Sequence, residues 1–213
     1  FASDSVVVGA SQSGRVLRST DAGLTWQGLN GPLYFAPRVL DFQDTLNGVA
    51  LPFASSLPAY TTADGGLTWT QSATWPGTGA IAPQPGEQAG TAVRFGPGGI
   101  GMAAGTQGTL FRTTDAGQTW TEVDTSGVPQ YGDLYGVSFA SASVGVAFGN
   151  YDRKSLYRTT DGGAHWSAVG ANVQPTGPLG GWLKVAFSDA SVVVALDSNG
   201  MTARSTDGGV NWL

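Results

Sequence analysis

The sequence predicts an all-β chain built from repeated four-stranded antiparallel units, and three observations carry that expectation. An eight-residue pattern, Ser/Thr-x-Asp-x-Gly-x-x-Trp, occurs five times, at Ser19–Trp26, Thr62–Trp69, Thr113–Trp120, Thr159–Trp166 and Ser205–Trp212. Its tryptophans lie 43, 51, 46 and 46 residues apart, a period that belongs to solenoids, arrays and propellers. Composition agrees. Charged residues make up 12% of the chain and Gly accounts for 33 positions, which suits a turn-rich β protein. Between the motifs the apolar segments are short, β-branched and alternating, with Gly or Asp-Gly separating them, as strands and hairpins require. Four strands fit each period, as in the blade of a β-propeller. An apolar content of 41% over 213 residues is enough for one domain with a real core.

The fourth repeat shows the unit most clearly. With strands lettered A (innermost) to D (outermost), Leu134–Phe139 reads as A, Val144–Phe148 as B, Ser155–Thr159 as C and His165–Val169 as D. Strand A recurs at Arg38–Phe42, Thr91–Phe95 and Leu183–Phe187, and strand B at Ser5–Gly9, Gly48–Leu51, Gly101–Ala104 and Val192–Leu196. Each strand A ends in Phe, and Phe1 fits the same place. One propeller domain over 1–213 is therefore expected, with blades at roughly 1–30, 31–73, 90–124, 133–170 and 181–213. It is expected to be incomplete at both ends and to belong to a ring of six or seven blades, with a complete five-bladed ring as second choice. The chain opens on Phe1 without initiator Met or signal sequence, which predicts a processed or partial product.

The motif itself reads as a structural staple. It closes the C–D hairpin. Its glycine (Gly23, Gly66, Gly117, Gly163, Gly209) takes a positive φ that a side chain resists. Its aspartate (Asp21, Asp64, Asp115, Asp161, Asp207) accepts bonds from turn N–H groups, and its tryptophan (Trp26, Trp69, Trp120, Trp166, Trp212) is expected to begin strand D and to bury its ring on the blade. Five aspartates spread around a rim cannot converge on one substrate. Three residues before each Asp stand Arg18, Thr61, Arg112, Arg158 and Arg204; these arginines are expected to bond carbonyls or the nearby Asp and to pack their stems between blades.

The D–A connections vary most: Gln27 to Pro37, Thr70 to Gly90, Thr121 to Asp133 and Ser167 to Gly181. In a propeller the D–A and B–C connections share one face and the motif turns lie on the other. The variable face carries aromatics that the blade pattern does not need, at Tyr34, Phe35, Trp75, Tyr131 and Trp182. The B–C connection of the fourth unit adds Tyr151, Arg153 and Lys154. Aromatics beside basic groups suit a binding surface, for protein or, by stacking, for carbohydrate.

The five motifs resemble Asp-boxes, the bacterial neuraminidase repeats found in sialidases, xyloglucan-active endoglucanases, sortilin-type receptors and the photosystem II stability/assembly factor family with its non-photosynthetic bacterial relatives. The last is most similar: Leu134-Tyr135-Gly136-Val137-Ser138-Phe139 followed by Leu156-Tyr157-Arg158-Thr159-Thr160-Asp161-Gly162-Gly163 matches its repeat. That resemblance implies a seven-bladed, non-enzymatic propeller that binds membrane protein complexes from the extracytoplasmic side: periplasmic, lumenal or secreted. The chain departs from it in having five repeats and no marked basic patch.

Other functions find less support. Net charge is −5 with no basic run, which argues against nucleic acid. There is no Cys and one His, His165, so no metal site or other cofactor is expected. No apolar run approaches the ~18 residues of a spanning helix. Sialidase chemistry would need a carboxylate-clamping arginine triad and a Tyr–Glu pair, and the two glutamates, Glu87 and Glu122, are badly placed for it. A glycosidase pair of carboxyls about 5 to 9.5 Å apart could come only from Asp41 and Asp133. The expected function is a binding scaffold with no catalytic residues. The alternatives are a glycoside hydrolase or carbohydrate-binding propeller, and a structural subunit of a larger surface assembly.

Overall fold

The computed structural model describes residues 5–11, 15–29, 37–52, 59–72, 92–104, 110–124, 134–149, 156–175 and 181–213. They form five antiparallel sheets in chain order. Sheet one holds β1 (Val7–Ala10), β2 (Val16–Ser19) and β3 (Gln27–Leu29). Sheet two holds β4 (Pro37–Phe42), β5 (Gly48–Pro52), β6 (Tyr60–Thr62) and β7 (Thr70–Gln71). Sheet three holds β8 (Ala92–Phe95), β9 (Gly101–Ala104), β10 (Leu110–Thr113) and β11 (Thr121–Glu122). Sheet four holds β12 (Leu134–Phe139), β13 (Gly145–Gly149), β14 (Leu156–Thr159) and β15 (Ser167–Val169). Sheet five holds β16 (Trp182–Phe187), β17 (Val193–Asp197) and β18 (Thr202–Ser205), with Leu213 pairing Arg204 through two backbone bonds of 2.8 and 2.9 Å in the outer position.

The sheets are propeller blades. Every strand pairs with its sequence neighbour, and successive blades meet through their first strands, β4 on β8, β8 on β12 and β12 on β16. The core lies between blades rather than within them. Val49, Leu51 and Ala59 of blade two pack on Val93, Ala103, Phe111 and Trp120 of blade three. Met102 and Leu110 of blade three pack on Val137, Ala147, Tyr157 and Trp166 of blade four. Val146, Phe148 and Leu156 of blade four pack on Val185, Ala195, Ala203 and Trp212 of blade five. The second strand carries a small buried residue (Ala50, Ala103, Ala147, Ala195) in each of blades two to five.

Two local features were not expected. Strand D starts one residue after the tryptophan, at Gln27, Thr70, Thr121 and Ser167, because the indole turns back to bond its own turn. Strand A of blades two, four and five carries a register shift at one equivalent place, between Pro37 and Val39, Leu134 and Gly136, and Trp182 and Lys184. The extra residue of such a bulge breaks the in–out alternation.

Candidate functional site

The turn motif is a closed hydrogen-bond system. In blade four the Thr159 hydroxyl donates to Asp161 Oδ1 at 2.8 Å and accepts from the N–H groups of Asp161 and Gly163 at 3.3 and 2.9 Å. Asp161 Oδ1 also accepts from His165 N–H at 3.0 Å, and Oδ2 lies 2.7 Å from His165 Nδ1. The Trp166 indole N–H donates to Gly163 O at 3.1 Å. Blades one and five repeat the set with Thr25 Oγ1 at 2.6 Å and Asn211 Nδ2 at 2.7 Å in the place of His165. His165 is thus a variant of a turn bond and not half of a catalytic pair. The glycines adopt φ between 87° and 92°, where a side chain is strained.

These bonds favour the ionised carboxylate. The Thr25 hydroxyl and N–H and the Ser19 hydroxyl hold Asp21 at about 2. Partial burial pushes Asp161 up, but the His165 N–H, its ring and the Thr159 hydroxyl outweigh it and hold the carboxyl at about 2. The N–H and side chain of Asn211 do the same for Asp207, also at about 2. Carboxylates this acidic and this fully bonded are unsuited to proton transfer near neutral pH.

The arginines latch neighbouring blades. Arg18 Nε donates to Gly65 O at 3.0 Å, Arg112 Nε to Gly162 O at 2.8 Å and Arg158 Nε to Gly208 O at 2.7 Å. Each acceptor follows the motif aspartate of the next blade. Blade two has Thr61 at this position, and there Ser72 Oγ bonds Gly117 O of blade three at 2.8 Å.

The inner wall is different. Asp41 Oδ2 accepts from Phe95 N–H of the next blade at 2.9 Å, and Arg94 Nη1 lies 3.8 Å from Oδ1. Burial raises the Asp41 carboxyl, against the Phe95 N–H and Arg94. Two seams further on, between blades four and five, Ser138 Oγ accepts from Phe187 N–H at 3.2 Å. Asp41 therefore has a structural task between blades. Arg94 from β8, Ser138 from β12, and Leu183, Lys184 and Ala186 from β16 line an open cleft of about 270 Å³ on this wall. Two cationic side chains, Arg94 and Lys184, line it, and sequence reasoning missed it because they lie in different repeats.

Of the expected loop-face residues, Tyr34, Phe35, Trp75, Tyr131, Tyr151, Arg153 and Lys154 lie outside the described residues, as does Asp133. Trp182 is described, and it is not a surface anchor. It opens β16, is 4% exposed and belongs to the core cluster between blades four and five. The bulge at Leu183 explains the correction: it turns Trp182 inward and leaves Leu183 60% exposed. Among the described residues no three His, Cys, Asp or Glu side chains converge as metal ligands.

The comparisons fit this architecture. No family model matches the sequence, and no curated protein matches it. YCF48 from Cyanidioschyzon merolae superposes with a TM-score of 0.68 at 19% identity, over 99% of this chain and 69% of that one. A GH74 xyloglucanase from Xanthomonas campestris superposes at 0.67 and 18% identity over 98% of this chain, which spans 36% of the enzyme's length. The GH74 enzyme of Niastella koreensis gives 0.65 and 16% identity, with 98% and 36% covered. At these identities the likeness establishes the fold: the chain is a β-propeller structure of four-stranded blades.

Proposed function

We propose that the chain is a non-enzymatic, extracytoplasmic binding scaffold that engages another protein or a membrane protein complex. Its contacts come from the face carrying the D–A and B–C connections. The observation that carries this reading is the commitment of the five motif aspartates and of Asp41 to architecture. The motif aspartates are saturated by their own turns, and Asp41 is bound to the next blade's backbone. The proposed contact residues are Tyr34, Phe35, Trp75, Tyr131, Tyr151, Arg153 and Lys154 of the connections, together with the inner-wall cleft.

The test is cross-linking of the immobilised chain to its binding partner, repeated with a Trp75→Ala, Tyr151→Ala, Lys154→Ala variant. The variant is expected to lose the partner while unfolding at the same denaturant concentration as wild type. Undiminished capture would overturn the face assignment.

The fold shared with GH74 enzymes motivates a second reading, glycoside hydrolysis with Asp41 as one carboxyl. The Phe95 N–H already occupies one oxygen of that carboxyl. Incubation with xyloglucan oligosaccharides is expected to release no reducing ends; turnover that disappears in Asp41→Asn would replace the scaffold reading.

A further inference from the structure

Two positions in the first strands decide where the inner wall opens. The residue that pairs with the fourth residue of the second strand is Val39, Ala92, Gly136 and Lys184 in blades two to five. Two residues further along stand Asp41, Arg94, Ser138 and Ala186. Small residues at Gly136, Ser138 and Ala186 therefore lie between two long cationic ones, Arg94 of blade three and Lys184 of blade five. That difference in size leaves the cleft of about 270 Å³. Blade four forms its floor with Val137 and Phe148, and blades three and five flank blade four on either side. Gly136 is needed for this floor, because a Cβ there would overlap the Phe148 ring.

The polar side chains of the cleft are all hydrogen-bond donors. Lys184 is exposed, and no carboxylate pairs with it among the described residues. Arg94 donates Nη1 to Val93 O at 3.1 Å. Its half-exposed side chain stands 3.8 Å from Asp41 Oδ1, well outside the ~2.7–2.9 Å of a charge-assisted hydrogen bond, so most of the guanidinium's five donors are unspent on described residues. Ser138 Oγ accepts the Phe187 N–H, which leaves its hydroxyl hydrogen to donate. No acidic side chain lines the cleft, and the rest of its lining is apolar, including Leu183, Val185 and Ala186.

We infer that the cleft binds a small organic carboxylate with an apolar body. Arg94 and Lys184 hold the carboxylate from two sides, Ser138 donates its hydroxyl to it, and the apolar part lies on Phe148 and Leu183. A guanidinium fork matches a planar carboxylate. The cleft walls are strands, with no helix N-terminus of the kind that cradles phosphate. The volume falls just below the ~300–1,000 Å³ of pockets that take drug-sized ligands, which sets the size of the acid. The inference rests on the scaffold reading only in taking the cleft as accessible, and it needs no protein partner.

The test is titration of the ¹⁵N-labelled chain, without partner, with phenylacetate, followed by amide chemical shifts. Saturable shifts at 136–138 and 183–187 are expected, with a Kd on the order of 1 mM. Phenylacetamide, which lacks the charge, is expected to leave those amides unmoved. Inorganic phosphate, which lacks the apolar body, is expected to bind at least about tenfold more weakly. Lys184→Gln is expected to weaken phenylacetate about fivefold, as is Arg94→Gln. Arg94 also faces Asp41, so if Arg94→Gln lowers the urea midpoint, Lys184→Gln decides alone. Absence of shifts at about 20 mM phenylacetate, equal shifts with phenylacetamide, equal affinity for phosphate, or undiminished binding in Lys184→Gln overturns the inference. Failure here leaves partner capture through Trp75, Tyr151 and Lys154 to stand or fall by its own variant.

Discussion

The rim of motif turns and the inner wall of first strands are drawn from the same repeats, yet one is uniform and the other is not. On the rim, hydroxyl, carboxylate, glycine and indole make the same bonds in every blade. On the wall, the position before the strand-ending Phe is Asp41, Arg94, Ser138 and Ala186 in turn. A network that closes within one hairpin needs nothing from its neighbours, so it can be copied unchanged. A side chain at the seam reaches the adjacent blade, and a carboxylate at Asp41 and a hydroxyl at Ser138 each accept the equivalent N–H, of Phe95 and of Phe187.

The contrast can be broken first at the indoles. Trp120→Ala removes a fully buried ring and is expected to cost about 3–5 kcal/mol in urea unfolding. Trp26→Ala, at 47% exposure, is expected to cost less than half as much. Equal losses would mean that burial does not distinguish the two positions. Asp161→Ala comes next. It strands the Thr159 hydroxyl and the His165 N–H, and is expected to cost about 2 kcal/mol, again by urea titration.

Acid tests the same network collectively. Asp21, Asp161 and Asp207 sit at about 2 when folded, below the ordinary 3.8. Between these values the unfolded chain binds more protons than the folded one. Their stabilisation is therefore complete above the unfolded value and is lost as pH falls from about 4 towards 2. Thermal melts are expected to show a falling midpoint across that window, steepest near its middle; a flat profile would deny the carboxylate bonds.

The smallest effect belongs to the wall. Burial raises the Asp41 carboxyl, so Asp41→Asn keeps an acceptor for the Phe95 N–H while removing a buried charge. It is expected to change stability by no more than about 0.5 kcal/mol. Asp161→Asn, in contrast, is expected to be clearly destabilising, because its two oxygens serve separate donors.

The blade plan was legible because each period is a run of short apolar segments that ends in a turn whose residues admit one geometry. The arginines were legible as seam residues that bond either carbonyls or the nearby Asp; the structure selects glycine carbonyls of the next blade. Trp182 was misread as a surface anchor because a single bulge residue, Leu183, reverses the facing of what precedes it, and nothing in Gly181-Trp182-Leu183-Lys184 marks that reversal. The pairing of Asp41 with Phe95 spans two blades, and the cleft that joins Arg94 to Lys184 spans three, so neither exists at the level of one repeat.

The central claim is that the motif rim holds the blades together and that partners are met on the opposite face. Hydrogen–deuterium exchange of the chain with and without its captured partner tests this most directly. The account predicts new protection in segments 73–91, 125–133 and 150–155 and at the β16 end of the cleft, with none at the five turns. Protection concentrated at turns 21–26, 64–69, 115–120, 161–166 and 207–212 would contradict it.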